Sequence, residues 1–294
     1  MAFAPLPLHH WPGDERRHIV GVFTDIDDTL TMEGKITPVA LQALAALRAH
    51  GLHVIPITGR PVGWSVPFAQ SWPVDAIVAE NGAVALIGPH HSQTFAAGSA
   101  NVPTNDHPAM SSRLARLYTQ DAPARHHNFQ RMQAVLARIE REIPGAVRSR
   151  DSAGRETDIA IDHSEFTHLP TSAIEAVVRL MRSEGMTATV SSIHINGWYG
   201  QHDKFTGACW IARELLGRHL PQELDRWVYV GDSTNDQIMF QHFPHSVGVA
   251  NIRRFADQLE HPPRYITPSE RGTGFAELAN LLLGNRALST PPCG

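Results

Sequence analysis

The sequence is poor in cysteine, in excess charge and in long apolar runs. Its 294 residues include two cysteines, Cys209 and Cys293, which form no C-x-x-C pair. This excludes a disulfide framework, and we expect a reducing compartment. The net charge of −4 provides neither a basic stripe for nucleic acid nor a polybasic patch for a membrane. No run approaches the roughly 18 apolar residues that span a bilayer.

Three common catalytic motifs are also missing from the sequence. There is no G-x-x-x-x-G-K-[ST] phosphate loop and no G-x-G-x-x-G after a predicted strand, which argues against a nucleotide-dependent enzyme. There is no H-E-x-x-H, and the 18 histidines show no metal-ligand spacing, which argues against a zinc hydrolase. Prolines at positions 5, 7 and 12 interrupt the first residues, so a secretory signal is not expected.

The composition is that of a folded, soluble protein. Apolar residues make up 42% of the chain and charged residues 18%, which excludes a disordered chain or a coiled-coil rod. The length allows one large domain or two of ordinary size. We therefore expect a cytoplasmic protein with no nucleic-acid or membrane partner.

The first part of the chain alternates strands and helices. Apolar runs predict strands at 18–24, 52–57 and 76–79, and leucines at three-residue steps predict a helix over 38–49. This order is typical of a parallel sheet covered by helices. Asn81-Gly82 between two apolar runs predicts a hairpin, where the parallel pattern changes.

A second pattern interrupts the first. Residues 88–106 predict a connection, and the chain beyond it predicts helices at 109–119, 129–142 and 172–184 and strands at 157–161 and 187–190. The first pattern then resumes, with helices at 203–216, 234–242 and 276–283 and strands at 227–230 and 247–249. The predicted fold is α/β, a Rossmann-like parallel-sheet core (1–87 and 197–294) with an inserted α+β domain (88–196).

Polar residues follow the predicted core strands. The first strand leads into Asp25-Ile26-Asp27-Asp28-Thr29, the second into Thr58-Gly59-Arg60, and the strand at 227–230 into Gly231-Asp232-Ser233-Thr234-Asn235-Asp236. Lys204 stands at the start of the helix before that last strand. Ligands of open parallel sheets bind beyond the carboxyl ends of the strands, so these residues are the candidate site.

The residue types indicate phosphoryl transfer. Asp25 and Asp27 lean to one face and repel each other unless a cation lies between them, and Asp232 and Asp236 add further oxygen ligands. Oxygen-only ligands suit a hard cation such as Mg²⁺. The basic groups of Arg60 and Lys204, together with Thr58 and helix-start N–H groups, suit a phosphate. An aspartate can then act as nucleophile and a second as general acid and base.

Each feature alone also has a purely structural interpretation. An Asp-x-Asp after a strand is often a turn with a helix cap, Thr58-Gly59-Arg60 can be a simple loop, and Lys204 can be a solvated lysine. Their joint occurrence, in order and each at a strand end or helix start, favours the functional interpretation.

These motifs resemble those of the haloacid dehalogenase superfamily of phosphohydrolases. The resemblance implies that Asp25 is the nucleophile and Asp27 the acid/base. It implies Mg²⁺ bound by the Asp25 carboxylate, the Asp27 backbone carbonyl and Asp232, supported by Asn235 and Asp236. It also implies that Thr58 and Lys204 bind the transferring phosphoryl group, for which Gly59 and Arg60 are further candidates.

The insert after Glu80-Asn81-Gly82-Ala83 resembles the large α/β cap of a subgroup that includes sucrose-phosphate, trehalose-phosphate and mannosyl-phosphoglycerate phosphatases. Such a cap excludes water and selects the leaving group. Four polar residues of the insert could contact a sugar: Arg155, Asp158, His163 and His194.

The expected reaction is Mg²⁺-dependent hydrolysis of a small phosphate monoester, with a sugar phosphate as the substrate class. Two alternatives use the same scaffold. A phosphomutase would return the phosphoryl group to another hydroxyl, and a non-catalytic sugar-phosphate sensor would have no use for the Asp25 and Asp27 pair. Neither the individual substrate nor the oligomeric state follows from the sequence.

Overall fold

The computed structural model describes residues 4–88 and 114–284. Its contacts group the chain into two compact units. The first unit contains Met1–Pro56 and Pro221–Gly294, and the second contains Ile57–Leu220. The predicted domain boundaries at 87/88 and 196/197 fall inside the second unit and stay a prediction.

The helices and strands of the described residues are numbered in chain order. The α-helices are α1 (Gly13–Arg17), α2 (Pro38–Ala49), α3 (Val62–Ser71), α4 (Ala122–Glu142), α5 (Thr171–Ser183), α6 (Lys204–Leu216), α7 (Gln237–His242) and α8 (Arg271–Leu283). The strands are β1 (Leu6–Pro7), β2 (Gly21–Thr24), β3 (Thr31–Met32), β4 (Lys35–Ile36), β5 (His53–Pro56), β6 (Ile77–Ala79), β7 (Val84–Ile87), β8 (Ala115–Tyr118), β9 (Val147–Arg148), β10 (Ile159–Asp162), β11 (Thr187–Val190), β12 (His194–Trp198), β13 (Trp227–Gly231), β14 (His245–Gly248) and β15 (Tyr265–Ile266).

The first unit is built on a six-stranded parallel sheet with the order β1-β15-β14-β13-β2-β5. Every residue of the central strands β2 and β13 is buried. Strands buried on both faces are continuous apolar runs, which is why they were readable in the sequence. The predicted parallel α/β core is confirmed.

Helix α2 shows how local sequence sets an element of this unit. The Thr37 side chain accepts a hydrogen bond from the Ala40 N–H, and Pro38 occupies the first helical position. Leu44 and Leu47 are buried, and the helix stops before Gly51, whose φ of 78° a side chain would disfavour. The observed bounds are those predicted.

The second unit contains two antiparallel sheets. One has the order β6-β7-β8 and the other β11-β12-β10-β9. The predicted hairpin is confirmed, since β6 and β7 pair antiparallel across Glu80–Gly82. Strand β6 was expected in the parallel sheet, but it lies in the three-stranded antiparallel one, with only an isolated parallel bridge between Ile57 and Val78.

One predicted element of the insert is wrong. The helix expected over 109–119 falls partly outside the described residues, and its described part is the strand β8. Residues of β8 pair with the fully buried strand β7 from Val84 to Ile87. Pairing with that neighbour overrides the helical spacing, because strand formation depends on cross-strand contacts that a local pattern does not contain.

Helices α4 and α5 contribute to an apolar core together with the four-stranded sheet. Met132, Ile139, Met181, Ile161 and Ile195 are buried in that core. Helix α4 begins seven residues before the predicted start at 129, because the Asp121 side chain caps it by accepting from the Ala124 N–H at 2.8 Å. The predicted α+β character of the insert holds.

Several predicted bounds differ modestly from the observed ones. The strands expected at 18–24 and 157–161 are β2 and β10, and the helix expected at 276–283 already begins at Arg271 as α8. The helix expected at 234–242 is a 3₁₀ turn at Thr234–Asp236 followed by α7. The connection at 89–106 lies outside the described residues. No described helix is both long and apolar enough to cross a bilayer.

Candidate functional site

Three aspartates of the first unit meet in an acidic cluster, defined here as Asp25, Asp232 and Asp236. One carboxylate oxygen from each lies within 4.8 Å of the others, and all three residues are buried. Asp25 follows β2 and Asp232 follows β13, and these strands are parallel neighbours. The Asp25 N–H donates to the Val230 carbonyl at 2.8 Å, so the pairing of the strands itself brings the carboxylates together.

The Asp236 carboxylate accepts three hydrogen bonds from its own surroundings. Its Oδ1 accepts from the Tyr229 hydroxyl, and its Oδ2 accepts from the N–H groups of Asp232 at 2.9 Å and Ser233 at 3.1 Å. Burial and the adjacent Asp236 charge raise the pKa of Tyr229 well above its usual value, so the phenol remains a donor. These three donors, one on β13 and two in the turn after it, fix the Asp236 carboxylate next to the end of that strand.

Gly231 is required by the same arrangement. A Cβ atom at this position would lie 2.4 Å from Asp236 Oδ2. The glycine therefore lets the Asp236 carboxylate approach the backbone closely enough to accept its hydrogen bonds. This gives a physical reason for the first residue of the Gly-Asp-x-x-Asn-Asp motif.

Asp232 has a partner, Asn251, that was not among the predicted site residues. The Asn251 amide donates to Asp232 Oδ2 at 2.9 Å and to the Asp28 carbonyl at 3.0 Å. Asn251 is only 2% exposed and follows β14, so it lies at a parallel strand end as the predicted residues do. Applying the strand-end rule to the strand predicted at 247–249 would have found it.

The loop after Asp25 is closed by its own hydrogen bonds. The Thr31 hydroxyl donates to the Ile26 carbonyl and accepts from the Asp28 N–H, both at 3.2 Å. Asp27 lies half-buried in this loop, outside the acidic cluster as defined. Asn235 Oδ1 accepts from the Ser233 hydroxyl at 2.8 Å, which braces the turn after Asp232.

The acidic cluster fits a hard divalent cation. Three buried carboxylates this close repel one another strongly, and they offer only oxygen ligands. A carboxylate oxygen set is the donor chemistry that Mg²⁺ takes. Asp25 and Asp232 could hold the ion, with Asp236 behind them.

Thr58 and Gly59 of the second unit form a tightly bonded turn. The Thr58 hydroxyl accepts from the Arg60 N–H at 3.0 Å, and the Thr58 N–H donates to the Val78 carbonyl at 2.9 Å. The Gly59 carbonyl accepts from Arg155 at 3.0 Å and from Asn196 at 3.3 Å. Residues of the insert thus fix the backbone of this predicted phosphate-binding turn.

Arg60 contacts two carboxylates of the insert. Its guanidinium donates to Glu165 at 2.8 Å and to Asp151 at 3.3 Å, and it is 5% exposed. Burial acts to raise the pKa values of both acids, yet each is lowered to about 2. Charge interactions with Arg155, His194 and Arg60 and a hydrogen bond from Ser149 lower the pKa of Asp151, and contacts with His194 and Arg60 lower that of Glu165. A phosphate contact by Arg60 stays a prediction.

Lys204 begins α6 and is 2% exposed. A capping box holds this helix start, since the Asp203 side chain accepts from the Thr206 N–H at 2.7 Å and the Thr206 hydroxyl accepts from the Asp203 N–H at 2.8 Å. A Cβ atom at Gly207 would lie 2.4 Å from the Gly82 Cα atom, so the helix packs directly on the hairpin turn. The helix start that carries Lys204 is therefore held both by its cap and by close packing.

Glu80 links the hairpin to the insert. Its carboxylate accepts from the N–H groups of Val62, Glu156 and Thr157 and from the Thr157 hydroxyl. Burial raises the pKa of Glu80, and these hydrogen bonds oppose that effect. In the sequence, Glu80 stands out only as part of the segment Glu80-Asn81-Gly82-Ala83 before the insert.

The four insert residues suggested as sugar contacts all have protein partners. Arg155 donates to Asp158 at 2.8 Å, and burial raises the pKa of Asp158 to about 7 despite this ion pair. His194 Nε2 lies 2.8 Å from Glu165, and His163 Nε2 lies 2.9 Å from the Ser191 carbonyl. These contacts stabilise the insert, and a role in sugar binding stays a prediction.

Comparisons with known proteins agree with this picture. A family model described as haloacid dehalogenase-like hydrolase matches residues 22–101. No curated protein sequence matches the chain. Many solved structures do match it.

Three of these structures illustrate the likeness. A putative HAD/COF-like hydrolase from Plasmodium vivax is 15% identical, with 94% of this chain and 100% of that chain covered and a TM-score of 0.64. Sucrose-phosphatase from Synechocystis, solved with sucrose and phosphate, is 16% identical, with coverage of 90% and 98% and a TM-score of 0.59. The C-terminal domain of C. albicans trehalose-6-phosphate phosphatase is 12% identical, with coverage of 96% and 99% and a TM-score of 0.62.

At such identities the structural likeness establishes the fold, while the family match covers the segment that carries Asp25, Asp27 and Thr58-Gly59-Arg60. The predicted resemblance is therefore supported in two ways: residues 22–101 match the haloacid dehalogenase-like hydrolase family, and the chain has the fold of the similar structures.

Proposed function

We propose that the chain is a Mg²⁺-dependent phosphatase that hydrolyses a sugar phosphate through an aspartyl-phosphate on Asp25. The observation that supports this most is the acidic cluster, in which Asp25 and Asp232 lie at the ends of adjacent parallel strands. A bound Mg²⁺ would neutralise the cluster and supply electrostatic stabilisation to the transferring phosphoryl group. We assign the metal contacts to Asp25, the Asp27 backbone carbonyl and Asp232.

In the first proposed step, an Asp25 carboxylate oxygen attacks phosphorus and the bond from phosphorus to the sugar oxygen breaks. The Asp27 carboxyl group donates its proton to the departing oxygen, which leaves as a sugar hydroxyl. The half-buried position of Asp27 in the loop supports this role, because an acid there can exchange protons with water.

In the second step, water attacks the phosphorus of the aspartyl-phosphate. The Asp27 carboxylate takes a proton from that water, and the bond between phosphorus and the Asp25 oxygen breaks. Inorganic phosphate leaves, and both aspartates return to their starting states. One residue thus serves as acid and then as base, as reversibility of the two half-reactions requires.

We assign phosphate binding to Thr58, Gly59, Arg60 and Lys204. Lys204 is the strongest of these, because a buried basic side chain at a capped helix start suits an anionic ligand. Asn235 and Asp236 would support the metal contacts, as their hydrogen bonds to the turn after β13 suggest.

The substrate class is proposed from the cap. Two of the similar structures are a sucrose-phosphatase and a trehalose-6-phosphate phosphatase. We assign the cap to residues 88–196 and the core to residues 1–87 and 197–294, as predicted. A cap of this size encloses a leaving group and excludes water during transfer.

The test is phosphate release from a panel of hexose phosphates, disaccharide phosphates, phosphoglycerate glycosides and nucleotides, with Mg²⁺ and with EDTA. We expect Mg²⁺-dependent release that is fastest for one sugar phosphate, and a loss of more than about a thousandfold in Asp25→Asn. Activity of Asp25→Asn within tenfold of the parent would overturn the nucleophile assignment. A positional isomer in place of inorganic phosphate would indicate a mutase.

A further inference from the structure

Three residues of the first unit form a closed ring of hydrogen bonds beside the acidic cluster. The Arg271 N–H donates to Asn251 Oδ1 at 3.0 Å, and Asn251 Nδ2 donates to the Asp28 carbonyl at 3.0 Å. Arg271 Nε then donates to Asp28 Oδ1 at 2.8 Å and closes the ring. We call Asp28, Asn251 and Arg271 the Asn251 ring.

The orientation of the Asn251 amide follows from its partners. The Arg271 N–H requires an acceptor, so it faces Oδ1. The Asp28 carbonyl and the Asp232 carboxylate require donors, so they face Nδ2. Both protons of the Asn251 amino group are therefore directed, one of them at an oxygen of the acidic cluster.

Two members of the ring have an uncommon backbone. Asp28 has φ of 53° and Arg271 has φ of 52°, a region that residues other than glycine rarely adopt. Such conformations persist where surrounding contacts determine them, and they concentrate at functional sites. Here the ring contributes contacts to both residues, beside the hydrogen bond from the Asp28 N–H to the Thr31 hydroxyl.

We propose that the Asn251 ring is a positioning device for the cation site, with Asn251 fixing the Asp232 carboxylate and Arg271 fixing Asn251 and the loop after Asp25. Its link to Asp232 is direct, and its link to Asp25 runs through the loop that Asp28 belongs to. The inference rests on the proposed function, because it assumes that the acidic cluster binds a divalent cation.

The charge of the ring members supports the same role. The Arg271 guanidinium pairs with Asp28, so this fourth aspartate near the cluster carries a compensating positive charge. Partners behind metal ligands orient those ligands, and their loss typically weakens metal binding about 10- to 100-fold. Arg271 is 27% exposed, so its side chain can be changed without opening a cavity in the core.

The test is a Mn²⁺ titration of the metal-free protein, followed by the EPR signal of free Mn²⁺. We expect Asn251→Ala to weaken Mn²⁺ binding about 10- to 100-fold, and Arg271→Lys about tenfold. The matched control is Arg254→Lys, an exposed arginine of the neighbouring Ala250–Gln258 segment that pairs with Glu270. The control should bind Mn²⁺ like the parent.

Arg271→Gly separates positioning from a structural role. Glycine adopts a φ of 52° without strain and keeps the N–H that donates to Asn251. A merely structural arginine would leave Mn²⁺ affinity unchanged in this variant, whereas the proposal predicts a loss of about tenfold with an unfolding temperature close to the parent's. Raising Mg²⁺ should restore its kcat.

The two proposals fail differently in this experiment. If the parent protein binds no Mn²⁺, the proposed metal-dependent function is overturned. If the parent binds Mn²⁺ and Arg271→Lys, Arg271→Gly and Asn251→Ala bind it equally well, the function stands and the positioning role of the ring is overturned.

Discussion

Tyr229 and Tyr265 are two buried tyrosines of the same parallel sheet, and they differ in the hydrogen bonding of their hydroxyl groups. The Tyr229 hydroxyl donates to Asp236, whereas the Tyr265 hydroxyl has no hydrogen-bond partner among the described residues. Both side chains lie on strands, β13 and β15, and both are fully buried. They therefore form a matched pair for measuring how much the hydrogen bond from Tyr229 to Asp236 contributes to the free energy of unfolding.

We predict that Tyr229→Phe lowers the free energy of unfolding by about 1 to 3 kcal/mol, since a buried carboxylate loses a donor. Tyr265→Phe should change it by less than about 0.5 kcal/mol, because no bond is removed. Urea denaturation of both variants gives the comparison. Equal losses would mean that the bond from Tyr229 to Asp236 contributes nothing specific.

Arg60 is a proposed phosphate-binding residue, and it also pairs with two carboxylates, those of Asp151 and Glu165. If Arg60 is a counter-charge for Asp151 and Glu165, its removal must destabilise the fold as well as reduce activity. We predict that Arg60→Met lowers the free energy of unfolding by about 3 to 5 kcal/mol at pH 7, because two largely buried carboxylates lose a counter-charge. Arg213→Met, an exposed arginine paired with Glu214, is the control and should be close to neutral.

This destabilisation has a defined pH dependence. Asp151 and Glu165 have pKa values of about 2, below their ordinary values of 3.8 and 4.5. Their contribution to stability is complete above the ordinary values and is lost as the pH falls toward 2. The difference between parent and Arg60→Met should therefore shrink between about pH 4.5 and 2, as measured by urea denaturation across that range. A constant difference would contradict the ion-pair explanation.

At the scale of elements, the sequence was most informative where one local signal determines the outcome. Helix α2 has a capping threonine, an initial proline and a terminal glycine, and its bounds were predicted correctly. The strand ends were readable because β2 and β13 are buried on both faces and stop at acidic residues. The meeting of Asp25 and Asp232 then follows from the parallel pairing, and the turn after β13 adds Asp236.

Elements that depend on distant partners were missed or misplaced. Strand β8 takes its conformation from β7, and strand β6 joins an antiparallel sheet although its sequence resembles a core strand. Glu80 and Asn251 act through hydrogen bonds to residues 76 and 19 positions away. The strand-end rule could have marked Asn251 as a candidate, but no local pattern identifies a partner at that separation, so the contacts themselves emerge only from the folded chain.

At the scale of the whole molecule, we expect repulsion among the three carboxylates of the acidic cluster to lower the stability of the metal-free protein. We predict that Asp25→Asn raises the unfolding temperature of the metal-free protein by about 2 to 4 °C, since removing one of three mutually repelling charges contributes about 1 kcal/mol. Added Mg²⁺ should raise the unfolding temperature of the parent and not that of the variant.

Calorimetry with EDTA and with Mg²⁺ measures both shifts. The control is Asp225→Asn, an aspartate of the same unit in the 3₁₀ turn Leu224–Arg226 before β13, which should respond to Mg²⁺ as the parent does. An Asp25→Asn variant that is less stable than the parent in EDTA would show that repulsion does not dominate the cluster.

The pairing of β2 with β13 joins Thr24 to Val230, and the chain between them includes the whole second unit. During synthesis, residues 57–220 leave the ribosome as one uninterrupted stretch. Strand β13, which pairs with β2, is synthesised only after them. Closing so long a loop is entropically costly. When residues 57–220 fold first, the two ends of that stretch are already restricted before β2 and β13 pair. Asp25 is therefore synthesised long before Asp232 and Asp236, and the acidic cluster is completed only by the last quarter of the polypeptide.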